Sequence, residues 1–115
     1  MPDTSLDLSI LSTVVHLIKS YIDDEILSIN TMAEISGLSL RTLQRGLMAN
    51  GTSYSALLEQ ARIEKSMDLL VMPDEKIIDI AYTLGYSDPS HFSRAFRKWA
   101  GISPSAYRKQ YTNLQ

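Results

Sequence analysis

The sequence predicts an all-α fold: two helix-turn-helix subdomains, about seven helices in all, joined by a long connector helix. Two observations carry this. No segment of useful length alternates apolar and polar residues with the two-residue period of a strand, whereas spacings of three and four recur throughout. The C-terminal third also repeats the middle of the chain. The middle copy runs Ala33-Glu34-Ile35-Ser36-Gly37-Leu38-Ser39 and then Leu43-Gln44-Arg45-Gly46-Leu47. The later copy runs Ala81-Tyr82-Thr83-Leu84-Gly85-Tyr86-Ser87 and then Phe92-Ser93-Arg94-Ala95-Phe96. Further on, Gly51-Thr52-Ser53-Tyr54-Ser55-Ala56 matches Gly101-Ile102-Ser103-Pro104-Ser105-Ala106. A duplicated supersecondary unit explains this better than coincidence. The expected organisation is one domain over 1–115, with a first subdomain over 7–52, a connector over 53–72 and a second subdomain over 73–112.

Each element has its own signals. Leu11, Val14, Val15, Ile18 and Ile22 follow helical spacing, widened by Leu17 and Tyr21, and predict a helix over 7–23. Asp7 suits its positive end. Thr31 and Glu34 fit a capping box that starts a short helix, and Gly37 supplies the left-handed residue that ends it. Ser39 caps a helix over 40–50, which stops at Asn50-Gly51. Ser53 caps a helix over 54–71 that is apolar on two faces, with Tyr54, Leu57, Leu58 and Ala61, then Ile63, Met67, Leu70 and Val71. Such a helix packs on both sides and suits a rigid connector; Pro73-Asp74 breaks it. Ile77, Ile78, Ile80, Ala81 and Leu84 form a buried helix ending at Gly85. Asp88-Pro89 and Ser103-Pro104 each pair a cap with proline at the first helical position, and start helices over 89–100 and 104–111.

Composition removes several function classes. The chain has 115 residues and no cysteine. Disulfides, thiolate zinc sites and cysteine nucleophiles are therefore excluded, and a reducing cytoplasm is expected. The apolar runs are too short for a membrane span, and the N-terminus lacks the basic-then-apolar pattern of a signal peptide. With two distant histidines, no glycine-rich phosphate loop and no clustered catalytic carboxylates, no enzyme site and no cofactor or metal site is expected. The acidic Asp23-Asp24-Glu25 run reads as a solvated helix end, His16 as a surface residue, and Glu59, Arg62, Glu64 and Lys65 as surface pairs. The net charge of −2 disfavours nucleic acid, but its distribution does not. Residues 1–38 carry six acids against Lys19, whereas 85–115 carry Arg94, Arg97, Lys98, Arg108 and Lys109 against Asp88 alone. A local positive face acts over a Debye length of about 8 Å, whatever the total charge.

The repeated unit then divides into faces. In a helix-turn-helix the second helix reads the DNA major groove while the first props it, so a small residue, a turn glycine and an apolar anchor are needed. Ala33, Gly37 and Leu43 with Leu47 supply these once; Ala81, Gly85 and Phe92 with Phe96 supply them again. Leu40, Leu43 and Leu47 are expected inward in the first reading helix, and Phe92, Phe96 and Trp99 in the second. Arg41, Thr42, Gln44, Arg45 and Met48 remain outside, as do Ser90, His91, Arg94, Arg97 and Lys98. Arginine offers guanine a bidentate contact, which marks Arg41, Arg45 and Arg94. Ser90 and His91 lie in the first turn, which enters deepest. Arg97 and Lys98 suit phosphates, as do Ser39 and Ser87 near the helix starts. Gly46 inside the first reading helix costs about 1 kcal/mol relative to alanine; Ala95 is its counterpart, so a small residue is wanted there. Leu38 also stands where the second copy has Tyr86.

Leu69-Leu70, Ile77, Ile80-Ala81, Gly85-Tyr86, His91-Phe92-Ser93-Arg94-Ala95-Phe96, Gly101, Pro104 and Tyr107-Arg108 resemble the signature of AraC/XylS-type transcription regulators over residues 8–110. The resemblance implies a DNA-binding domain whose two reading helices enter successive major grooves, in a protein that regulates transcription, mostly by activation through RNA polymerase. By matching positions it implies base or near-base contacts from Arg41, Arg45, Ser90, Ser93 and Arg94; Thr42 and His91 complete the expected base-contacting set. It further implies an N-terminal effector or dimerisation domain, so a C-terminal piece of a longer, nucleoid-associated bacterial protein is expected. The alternative is a helical protein-interaction module contacting an effector domain or polymerase without reading DNA, to which the acidic first helix lends itself.

Overall fold

A computed structural model of the protein describes residues 4–22 and 28–112. These form seven helices and no strand: α1 Thr4–Tyr21, α2 Ile29–Ser36, α3 Leu40–Ala49, α4 Tyr54–Leu70, α5 Ile77–Thr83, α6 Pro89–Ala100 and α7 Pro104–Thr112. The all-α, two-helix-turn-helix expectation holds. None of the helices is long and apolar enough to cross a membrane. The chain divides into two compact units whose boundary, between Leu58 and Glu59, falls inside α4. The Asp23-Asp24-Glu25 run lies outside the described residues.

The first unit is built around α1 and α3. Ile10, Val14 and Ile18 recur every fourth residue on α1 and are fully buried, with Met32 of α2 and Leu43 and Leu47 of α3. Ile10 is an anchor the predicted stripe had omitted; Leu11 and Val15 are only half-buried beside it. The reason for Gly46 lies here. A Cβ built on it would stand 2.8 Å from Ile10 Cδ1 and 2.9 Å from Cγ2, closer than side chains pack. The glycine therefore lets the α3 backbone close on α1. Asn50 fastens the same contact, its Nδ2 donating to the Asp7 carbonyl at 3.0 Å and the Gly46 carbonyl at 2.8 Å.

Two expectations for this unit are corrected. The cap of α2 is Ser28, not Thr31: the Ser28 hydroxyl accepts the Thr31 N–H at 3.1 Å, and Glu34 is exposed. Ser28 offers the same short acceptor three residues earlier, so the helix gains most of a turn and Thr31 becomes its third residue. Leu40 does not point inward. As the first residue of α3 it is exposed, and the inward stripe is completed by Leu43, Leu47 and the Gly46 contact. Gly37, with φ +74°, ends α2 as expected, its N–H returning to Ala33 and Glu34.

The second unit has an aromatic core. Phe92 and Phe96 of α6 are fully buried with Ile63 and Leu70 of α4 and Ile80 and Ala81 of α5. Ring contacts form a chain, Tyr86 to Phe92 (5.5 Å), Phe92 to Phe96 (5.9 Å) and Phe96 to Tyr107 (5.4 Å). Such pairs add to stability beyond the area they bury. Arg108 of α7 closes the end of α4, donating from Nε to the Leu70 carbonyl at 2.8 Å and from Nη2 to the Met72 carbonyl at 3.1 Å. The Leu70 carbonyl ends the helix and is satisfied by the guanidinium, which also shares the Met72 carbonyl with the Glu75 N–H. Trp99 corrects a third expectation. It is exposed rather than inward, because its indole N–H donates to Glu59 Oε1 at 2.7 Å and holds the ring at the surface.

Candidate nucleic-acid interface

Each reading helix begins with a hydroxyl or carboxylate that organises its first turn. At α3, the Ser39 hydroxyl accepts the Thr42 N–H at 3.1 Å and donates to Thr42 Oγ1 at 2.8 Å. Behind this cap, Arg41, Gln44, Arg45 and Met48 are all exposed, at the spacing that puts them on one face. Thr42 is half-buried and its hydroxyl is engaged with Ser39. The predicted outward set is thus present, with Thr42 at its edge.

At α6 the cap is Asp88. Its Oδ1 accepts from the Ser90 N–H at 2.9 Å and the Ser90 hydroxyl at 2.7 Å. These two bonds, above all the hydroxyl, hold the Asp88 carboxyl below its usual range, with His91 and Arg94 adding a smaller pull. The carboxylate is therefore charged at neutral pH and favours the positive end of α6. Ser90, His91, Arg94, Arg97 and Lys98 are exposed, Ser93 is half-buried, and Ser87 is exposed just before the cap. Ser90 projects from the first turn, but its hydroxyl proton is directed at Asp88.

Residues not singled out from the sequence complete this surface. Glu59, expected only as a surface pair, binds Trp99 and lies 3.8 Å from Lys98 Nζ. Arg62, expected likewise, stacks over the Tyr86 ring with Cζ 5.6 Å from the ring centroid. It also occupies the space beside Gly85, where a Cβ would meet Arg62 Nη2 at 2.9 Å. Gly85 has φ +96°, so the turn demands glycine, and any Cβ there would also push the Arg62 guanidinium aside. The Tyr86 hydroxyl is buried without a hydrogen-bond partner, and burial pushes its pKa up, against the opposing pull of Arg62. No short-range pattern links Glu59 with Trp99, or Arg62 with Tyr86; each pair meets only after folding. A groove of about 350 Å³ runs here, lined by Glu59, Tyr86, His91, Arg94, Ala95 and Lys98.

The two faces share one design. A capped helix start presents guanidinium groups at successive turns, suited to guanine edges, and α6 adds cations in its last turn, suited to phosphates.

Comparison with known proteins agrees with this fold. A family profile described as a helix-turn-helix domain matches residues 32–110. The chain is 36% identical over 104 residues to the transcriptional activator NphR of Rhodococcus sp, which covers 90% of this chain but only 31% of that relative. The structure is similar to an AraC-type DNA-binding-domain protein from Chromobacterium violaceum, with TM-score 0.81 and 30% identity over 90% of this chain and 93% of that one. It is also similar to the DNA-binding domain of AdpA, a global transcriptional factor solved with a target DNA, with TM-score 0.74 and 26% identity over 91% and 95% of the two chains.

Proposed function

The chain belongs to the AraC-type family of helix-turn-helix DNA-binding transcription regulators, and on that premise we propose that it reads one operator with α3 and α6 in successive major grooves. The observation that carries this reading is the doubled face. Arg45 on α3 and Arg94 on α6 stand exposed at equivalent places in the two copies, each behind an ordered cap and with a further exposed residue, Arg41 or His91, one turn earlier.

In this proposal Arg45 and Arg94 discriminate bases, helped by Arg41, Thr42, Ser90, His91 and Ser93. Ser39, Ser87, Arg97 and Lys98 hold phosphates. Ser90, whose proton goes to Asp88, keeps a lone pair for a base donor, and Thr42, which accepts from Ser39, keeps its own proton for a base acceptor; Ser39 would hold a phosphate by turning its proton from Thr42 to the phosphate oxygen. The subdomain limits of 7–52, 53–72 and 73–112 assign one reading helix to each half. Activation is supported by the likeness to NphR, a transcriptional activator, and contact with RNA polymerase is the proposed route. Because the chain spans 31% of that relative's length, we further propose that the whole protein carries an effector-binding or dimerising domain and works in the bacterial cytoplasm on the nucleoid.

Selection from random duplexes at physiological salt, read by sequencing, tests the proposal. Two conserved blocks with centres about one helical turn apart are expected. A single block would mean that one reading helix is idle. No enrichment by the folded protein would remove the DNA-reading proposal and favour a protein-interaction role.

A further inference from the structure

Glu59 carries the opposite sign to the surface around it. The α6 helix exposes His91, Arg94, Arg97 and Lys98, and the groove along its flank brings Glu59 together with His91, Arg94 and Lys98. One oxygen of Glu59, Oε1, accepts the Trp99 indole N–H at 2.7 Å and lies 3.8 Å from Lys98 Nζ. The indole bond fixes where the carboxylate sits. Lys98 stays in water, its side chain 74% exposed, so its pairing with Glu59 is weak and exchangeable. To an ammonium group, a carboxylate and a phosphate are equivalent partners: both are anionic and both only accept hydrogen bonds. A phosphate approaching Lys98 competes with Glu59 for the ammonium group and also meets its charge.

Resting on the DNA-reading proposal above, we infer that Glu59 is an affinity-setting residue, a carboxylate built into the reading surface that competes with the DNA backbone for Lys98. The competition is for phosphate, which carries no sequence information. Glu59 therefore governs how tightly the protein holds any duplex, not which duplex it prefers. Its natural consequence is easier release from DNA, since phosphate contacts supply essentially all sequence-independent binding.

The test is a salt titration of wild type, Glu59→Gln, Lys98→Gln and the double variant on a selected duplex and a random one. Glutamine removes the charge and keeps an oxygen for the indole. Trp99 is the chain's one tryptophan, so its emission spectrum reports whether that bond survives. Glu59→Gln is expected to bind both duplexes about two- to fivefold tighter, by the same factor. Its log–log salt slope should steepen by up to about 0.9, one extra phosphate. The gain should vanish when Lys98 is also glutamine. Unchanged affinity with unchanged emission would overturn the inference, as would a gain that survives without Lys98. A changed base preference would overturn it too, and would make Glu59 an acceptor for a base amino group. If Glu59→Gln perturbs the emission, Lys98→Gln decides alone. It should reduce the salt slope less than Arg97→Gln does, and an equal or larger reduction sinks the idea. Wild-type protein that binds neither duplex would instead remove the DNA-reading proposal itself, a result that needs no variant.

Discussion

Arg94 shows how much one side chain is asked to do. It is exposed on α6, one turn beyond His91 and in the same groove, and it repeats Arg45 of α3. A guanidinium so placed can give two parallel hydrogen bonds to guanine O6 and N7. Arg94→Ala is expected to weaken binding to the selected operator by about 1–3 kcal/mol and binding to random duplex by much less. Equal losses on both would show that Arg94 touches only phosphate. The serine and threonine of the predicted set have a different character. The hydroxyls of Ser39, Thr42 and Ser90 are engaged in the capping bonds of the first turn, Ser39 as the cap itself and Thr42 and Ser90 as partners of Ser39 and Asp88. Their substitution acts on the helix start as well as on any base, so arginine variants give the cleaner test of readout.

Among the elements, α3 is the one whose placement depends most on a partner. Its glycine is a poor helix former, yet a Cβ at Gly46 would collide with Ile10 of α1. Gly46→Ala should gain about 1 kcal/mol of helix propensity and lose about 1–3 kcal/mol to overpacking against the stiff, β-branched Ile10. The expected outcome is a lower melting temperature and weaker DNA binding through a displaced α3. Adding Ile10→Ala should recover part of the loss, so that the pair is more stable than the sum of the single effects predicts. A stabilised single variant would mean that α1 yields freely. In the second unit the same small position is Ala95, about nine-tenths buried, and the anchors are Phe92 and Phe96. One supersecondary plan is thus packed with aliphatic residues in one copy and aromatic residues in the other.

At the scale of the whole molecule, the proposed function rests on two reading helices acting on one duplex. Each unit has its own core, and α4 carries the chain from one unit into the other. If both helices engage together, inserting about five base pairs between the two operator blocks turns one of them about half a helical turn away. Binding should then fall to that of a single block. Undiminished binding would show that the units act independently. The acidic total charge does not oppose this function, because the excess acids lie in the first 38 residues and the bases gather towards the C-terminus.

The chain's own order of residues determined the all-α class, the duplicated unit, the limits of α6 and the exposed arginines of both reading helices. These are local properties: a repeat, a proline or serine beside a helix start, and the spacing of apolar residues. The start of α2 was misplaced by three residues because Ser28 and Thr31 are chemically equivalent caps. Only the tertiary structure decided that Leu40 and Trp99 face outward, that Gly46 answers to Ile10, and that Arg108 closes α4. It alone set Glu59 beside Lys98 and Arg62 over Tyr86. Each of these depends on side chains far apart in sequence. Helical periodicity states which residues share a face, but not which neighbour, charge or hydrogen-bond acceptor that face will meet.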